Sequence, residues 1–219
     1  MEAAVFSDVE GTLIDANLPR LSFQVGAAMG LFSRPLLAQL ALISLISKAL
    51  PPGPRRRARL STMRLAMRGQ TEEQVAALSE AVATAALALA KPASLARLRQ
   101  HQSEGLQVVL VSAGLDLVVA GLARKIGARG EGTKVARRNG RFLARFDGPP
   151  CEGQAKAERA RRVLGEINCE PAISFAYGDT ASDIPFLELF GHPAVVDPDA
   201  QLRAHAVQAG WQILTGRSG

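Results

Sequence analysis

Two hydrophobic rhythms divide the chain. It opens with a short apolar run, Ala3 to Phe6, that leads into Ser7-Asp8-Val9-Glu10-Gly11-Thr12-Leu13. The run has the length of one buried strand, and Gly11 marks its turn. The rhythm then changes. From Leu21 to Leu50 the chain is apolar and helix-prone, with Arg34 and Lys48 its only charged residues and Pro35 interrupting it. Pro51-Pro52-Gly53-Pro54 breaks that stretch. Arg55-Arg56-Arg57-Ala58-Arg59 follows, and a helix is expected over Leu60–Arg68. Thr71, with Gln74 three residues on, forms a capping box, so another helix is expected from there to Ala90.

From Pro92 the pattern alternates. Helices are expected at Ala93–Glu104, Leu115–Ile126, Ala155–Glu166, Ser182–Phe190 and Asp199–Ala209. Strands are expected at Gln107–Val111, Ile173–Ala176, Ala194–Val196 and Trp211–Leu214. Lys134 to Phe146 alternates around Asn139-Gly140, the signal of a β-hairpin lying off the main sheet. Strands alternating with helices predict an α/β fold, a parallel sheet with helices on both faces. Residues 1–15 and 91–219 then form the core, and residues 16–90 an all-helical insert.

Composition narrows the function classes. The chain has 219 residues, 47% of them hydrophobic, which suffices for a real core. Its net charge of +6 suits anionic partners in general. Without aromatic-interleaved basic repeats or zinc-type Cys/His spacing, nucleic acid is not expected. Cys151 and Cys169 read as reduced thiols, and no signal-peptide pattern precedes Asp8, so a cytoplasmic setting is expected. The uninterrupted apolar core of the insert, Leu36 to Ile46, is too short to span a bilayer. Beside the Arg55–Arg59 run it is read as cap core or an oligomer contact, with peripheral membrane contact as the alternative.

The candidate chemistry sits where strands end. In an extended segment, side chains at i and i+2 share a side, so Asp8 and Glu10 face one space beyond the first strand. Ligands of parallel sheets bind at the carboxyl ends of strands. Ser112 and the pair Asp179 and Asp183 follow two other strands, so all converge on one rim. Phosphoryl transfer needs a nucleophile, positive charge on the phosphoryl oxygens and a proton for the leaving group. Asp8 suits the nucleophile, forming an aspartyl-phosphate. Asp8, Asp179 and Asp183 suit Mg²⁺, which prefers oxygen ligands. Ser112 offers a hydroxyl and Ala113-Gly114 a close backbone approach to phosphate. Lys156 suits charge neutralisation. Thr12 either contacts phosphate or holds the turn after Gly11, and Asp183 either serves the metal or caps a helix.

These motifs resemble the haloacid dehalogenase superfamily, in its phosphoserine-phosphatase-like branch. Asp8-Val9-Glu10-Gly11-Thr12 looks like its first motif, Val109 to Gly114 its second, Gly153 to Lys156 its third and Gly178 to Asp183 its fourth. The resemblance covers nearly the whole chain. It implies a Rossmann-like core, bound Mg²⁺ and a small helical cap inserted after the first motif, over residues 16–90. It also implies that the Glu10 carbonyl ligates the metal and that the Glu10 side chain is the general acid-base. Two positions depart from the pattern. Glu10 stands where the family usually has aspartate. Asn17 stands where phosphoserine phosphatases carry a glutamate for the substrate ammonium. The expected function is a Mg²⁺-dependent phosphatase of a small or amphiphilic phosphate monoester. The alternatives are a lipid-phosphate phosphatase at the membrane face and a non-catalytic phosphate-binding protein.

Overall fold

A computed structural model describes residues 2–47, 49, 58, 62 and 64–216. The Pro51–Pro54 break and the arginines expected at 55–57 and 59 lie outside the described residues, as does part of the Leu60–Arg68 helix. Residues 64–67 of that segment are helical.

The elements in order are β1 (Ala4–Ser7), α1 (Leu18–Ala28), α2 (Arg34–Ser47), α3 (Glu72–Leu87), α4 (Pro92–Ser103), β2 (Gln107–Leu115), α5 (Asp116–Lys125), β3 (Arg129–Thr133), β4 (Val135–Arg138), β5 (Arg141–Phe146), α6 (Gln154–Glu166), β6 (Phe175–Gly178), α7 (Ile184–Leu187), β7 (His192–Val196), α8 (Ala200–Ala209) and β8 (Gln212–Leu214). The main sheet has six strands in the order β3-β2-β1-β6-β7-β8, and every pairing is parallel. β4 and β5 form a separate antiparallel hairpin around Asn139-Gly140.

Period-two alternation gives the sheet its two buried faces. On β1, Val5 packs into one apolar cluster while Ala4 and Phe6 pack into another. On β2, Val108 and Leu110 take the first side, Val109 and Val111 the second. The first cluster holds Leu98 of α4 and Val119 and Leu122 of α5. The second holds Ala160 and Val163 of α6, Phe186 of α7 and Leu202 of α8. The fold is therefore the expected α/β layer arrangement.

The helical segment leaves and rejoins this core at one place. The Asp15 amide donates to the Leu89 carbonyl at 2.9 Å, and the Lys91 amide to the Leu13 carbonyl at 2.8 Å. α3 carries the capping box at Thr71 and Gln74 and places Leu78, Val82 and Ala83 in the same apolar cluster as α5. The hairpin grips the segment too: the Gly69 amide donates to the Phe142 carbonyl at 2.9 Å, and the Phe142 amide donates to the Gln70 carbonyl at 3.0 Å.

The structure corrects the sequence reading at four places. β3 was not expected, because Arg-Gly-Glu-Gly-Thr carries no apolar run. Its glycines are required by α5: a Cβ on Gly130 would lie 2.6 Å from the Ala120 Cα, and one on Gly132 2.6 Å from the Asp116 Cα. β2 continues past Val111 to Leu115, with a register shift against β3. The strand expected at Ile173–Ala176 lies at Phe175–Gly178, because Pro171–Ile173 form a 3-10 turn. The helix expected over Ser182–Phe190 is a 3-10 turn at Ala181–Asp183 followed by the single turn of α7.

Candidate active site

The central strand β1 stops at Ser7, and the chain turns above the sheet. The Asp8 amide donates to the Tyr177 carbonyl at 2.9 Å, which ties the end of β1 to β6. Asp8 is thereby buried, with 7% of its surface exposed. Gly11 makes the turn at φ 81°, and a Cβ there would lie 2.0 Å from Asp179 Oδ2. Glycine is needed on both counts.

Asp179 and Asp183 arrive from the turn after β6. The Asp179 and Thr180 amides both donate to Asp183 Oδ2 at 3.3 Å. Carboxylate oxygens of Asp8, Asp179 and Asp183 all lie within 4.8 Å of one another. Lys156, near the start of α6, is 3% exposed. Its Nζ donates to Asp8 Oδ1 at 2.5 Å and Asp183 Oδ1 at 2.6 Å, and sits 4.9 Å from the centre of the Phe186 ring.

The electrostatics follow from burial. Burial pushes Asp8 up to about 6; Lys156 pulls against that rise and Asp183 adds to it. Asp179 is raised further, to about 8, by burial first and then by the charges of Asp8 and Asp183. Burial alone would lower the Lys156 ammonium, but Asp183 and Asp8 outweigh it and the net shift is upward. The lysine is thus firmly charged, while the carboxylates crowd more negative charge than it balances. An all-oxygen set of this kind suits a hard divalent cation.

A cavity of about 450 Å³ opens over the cluster. Its lining brings together Asp8, Glu10, Ser112, Lys156, Asp179 and Asp183, and also Ala113. Thr12 and Gly114 lie outside that lining. Thr12 is buried, and its hydroxyl donates to Asp179 Oδ1 at 3.3 Å, so it braces the acidic cluster. The Gly114 amide donates to Ser112 Oγ at 3.1 Å. Asp183 stands in the cluster, and its Oδ2 also accepts from the Thr180 amide, which closes the capping box of the 3-10 turn; its side chain makes no cap bond to α7.

Two supporting residues, Thr133 and Lys91, had no signal in the sequence, and a third, Asn17, showed there only as a departure from the family pattern. Thr133 of β3 donates to the Ala113 carbonyl at 2.8 Å and accepts from the Cys151 amide at 3.0 Å. It joins the end of β2 to the loop before Lys156, and it was hidden because β3 was. Lys91, at the return of the helical segment, donates to the Gly11 carbonyl and to Asp197 Oδ2, the latter at 2.8 Å. Asn17 donates to Glu10 Oε2 at 3.0 Å. Cys151 packs as expected of a buried thiol; burial pushes it up to about 11, so it stays protonated.

Fold and site together define a class: a parallel α/β protein that gathers buried carboxylates around one lysine at the carboxyl ends of its strands. The chain belongs to the haloacid dehalogenase-like hydrolase family, whose model matches residues 5–188. It is 33% identical over 116 residues to a probable phosphatase of Mycobacterium tuberculosis, covering 52% of this chain and 40% of that protein. A putative hydrolase of Mycobacterium leprae is 32% identical over 152 residues, covering 68% of this chain and 51% of its own length. The chain thus spans about half or less of the curated relatives it matches. A Bordetella pertussis protein of unknown function has the same fold, with a TM-score of 0.76 at 21% identity over 98% of both chains.

Proposed function

We propose that the chain is a Mg²⁺-dependent phosphatase of a small phosphate monoester that works through an aspartyl-phosphate on Asp8. The observation that carries this reading is the buried contact of Asp8 with Lys156 inside the acidic cluster, at the floor of a cavity. Relatives named as phosphatases, one of them a phosphoserine phosphatase of Mycobacterium tuberculosis, support it.

In this reading Asp8, Asp179, Asp183 and the Glu10 carbonyl hold Mg²⁺. Bound there, the ion offsets negative charge on the phosphoryl oxygens. Lys156 and the Ser112 hydroxyl hold the same group. An Asp8 oxygen attacks phosphorus, and the ester P–O bond breaks. Glu10 gives its proton to the leaving oxygen, then takes one from a water that attacks the phosphorus of the aspartyl-phosphate. Inorganic phosphate leaves, and Asp8 is restored. Residues 16–90 act as the cap, and Ala16, Asn17 and Pro19 supply part of the cavity wall.

Hydrolysis of an aryl phosphate tests the reading, because its good leaving group demands little general acid help. Turnover is expected with Mg²⁺ and is expected to fall to background in EDTA. No turnover with any divalent metal would leave the non-catalytic phosphate-binding reading in its place.

A second reading concerns where the substrate resides. On α2, Leu42, Leu45 and Ile46 stand 57%, 64% and 56% exposed. They follow i, i+3 and i+4 spacing, so they share one helix face. Such a face suits peripheral contact with a membrane and a lipid-phosphate substrate. Among the described residues no helix is long and apolar enough to cross a membrane. Co-sedimentation with anionic vesicles is expected at low salt and weaker at high salt; Leu45→Glu is expected to reduce it. Absence of binding at low salt would return this face to cap packing or an oligomer contact.

A further inference from the structure

We propose that Asn17 is a positioning residue that holds the Glu10 carboxylate for proton transfer, an inference that rests on the phosphatase reading above. The two positions at which this chain departs from its family pattern are in contact: Asn17 Nδ2 donates to Glu10 Oε2 at 3.0 Å. The orientation of the amide is set independently. Asn17 is the N-cap of α1, and its Oδ1 accepts from the Arg20 amide at 3.0 Å. With the carbonyl oxygen committed to the helix, the NH₂ group must face Glu10.

Length explains the pairing. An aspartate at position 10 would end about 1.5 Å short of the Glu10 carboxylate, too far for Asn17 to reach. Glutamate at 10 and asparagine at 17 therefore act as one unit. The longer side chain gains a rotamer that must be fixed, and the amide fixes it without adding charge beside Asp8. Both residues line the cavity over the acidic cluster. Because α1 begins at Asn17, the same side chain links the acid-base group to the first helix of the cap.

Asn17→Ser isolates the positioning role from the capping role. Serine still caps a helix, but its hydroxyl is too short to reach Glu10. Thermal unfolding of Asn17→Ser is expected to match that of the parent. With Mg²⁺ present, kcat on an alkyl phosphate is expected to fall on the order of 10-fold, with KM unchanged, since a misplaced proton donor slows the chemical step. On an aryl phosphate kcat/KM, which reports only the steps through formation of the aspartyl-phosphate, should stay within about twofold, because that leaving group needs little protonation, whereas kcat/KM on the alkyl ester falls. In a Glu10→Asp background, where the contact is already lost, Asn17→Ser should cost nothing further. Equal losses of kcat/KM on both esters, a change in KM alone, or an undiminished loss in the Glu10→Asp background would each overturn the proposal while leaving the phosphatase reading intact. A parent protein inactive on the aryl ester would overturn both.

Discussion

Asp8→Asn is expected to abolish hydrolysis of aryl and alkyl phosphates alike, by on the order of 10⁴-fold or more, as removal of a nucleophile does. The amide has nearly the shape of the carboxylate but is a poor nucleophile and a weaker metal ligand. The fold should survive, because Lys156 keeps its contact with Asp183 at 2.6 Å. Removing one of three crowded carboxylates also relieves repulsion on Asp179 and Asp183. Unfolding in EDTA should therefore show a variant at least as stable as the parent at pH 8. Retention of more than a few per cent of parent activity would remove Asp8 from the role of nucleophile.

Asp8 and Glu10 line one cavity, as the period-two expectation had it, although β1 stops at Ser7 and both stand in the segment between the strand end and Gly11. Ser112, Asp179 and Asp183 were legible in the sequence: each follows a β-rich run, and parallel strands bring their carboxyl ends to one rim. What the sequence hid was the support. β3 is defined by what presses on it, and Gly130 and Gly132 are small because the α5 backbone lies against them. No hydrophobic pattern records that. Thr133 was lost with it. Lys91 was invisible because its partners, the Gly11 carbonyl and Asp197, are distant in sequence and one of them is backbone. Asn17 was visible only as a departure from a family pattern, and its meaning waited on the distance to Glu10. Thr12 shows the reverse: a hydroxyl beside the motif could serve phosphate or the turn, and burial against Asp179 favours the bracing part.

Lys156→Met carries the largest expected effect on stability. Methionine fills similar space but leaves the buried Asp8 and Asp183, and the half-buried Asp179 beside them, without their compensating charge. Breaking a buried ion network from one side typically costs about 3–5 kcal/mol. The cost should depend on pH, and its sign follows from proton linkage. Asp8 and Asp179 have folded values raised from 3.8 to about 6 and about 8. Groups shifted in this direction bind protons more tightly when folded. Their contribution to stability is full below the unfolded value and is lost as pH rises through the folded values. Removing Lys156 takes away the charge that opposes the shift, so the Asp8 value climbs further and the variant loses more stability than the parent as pH rises. In EDTA, the gap in unfolding free energy between parent and variant should be small near pH 5 and widest near pH 8. Added Mg²⁺ should narrow it at pH 8, where protons compete least with the metal for the carboxylates. Urea unfolding at both pH values, with and without Mg²⁺, reads all of this. A gap of equal size at pH 5 and pH 8 would mean that Lys156 contributes packing against Phe186 and not charge compensation.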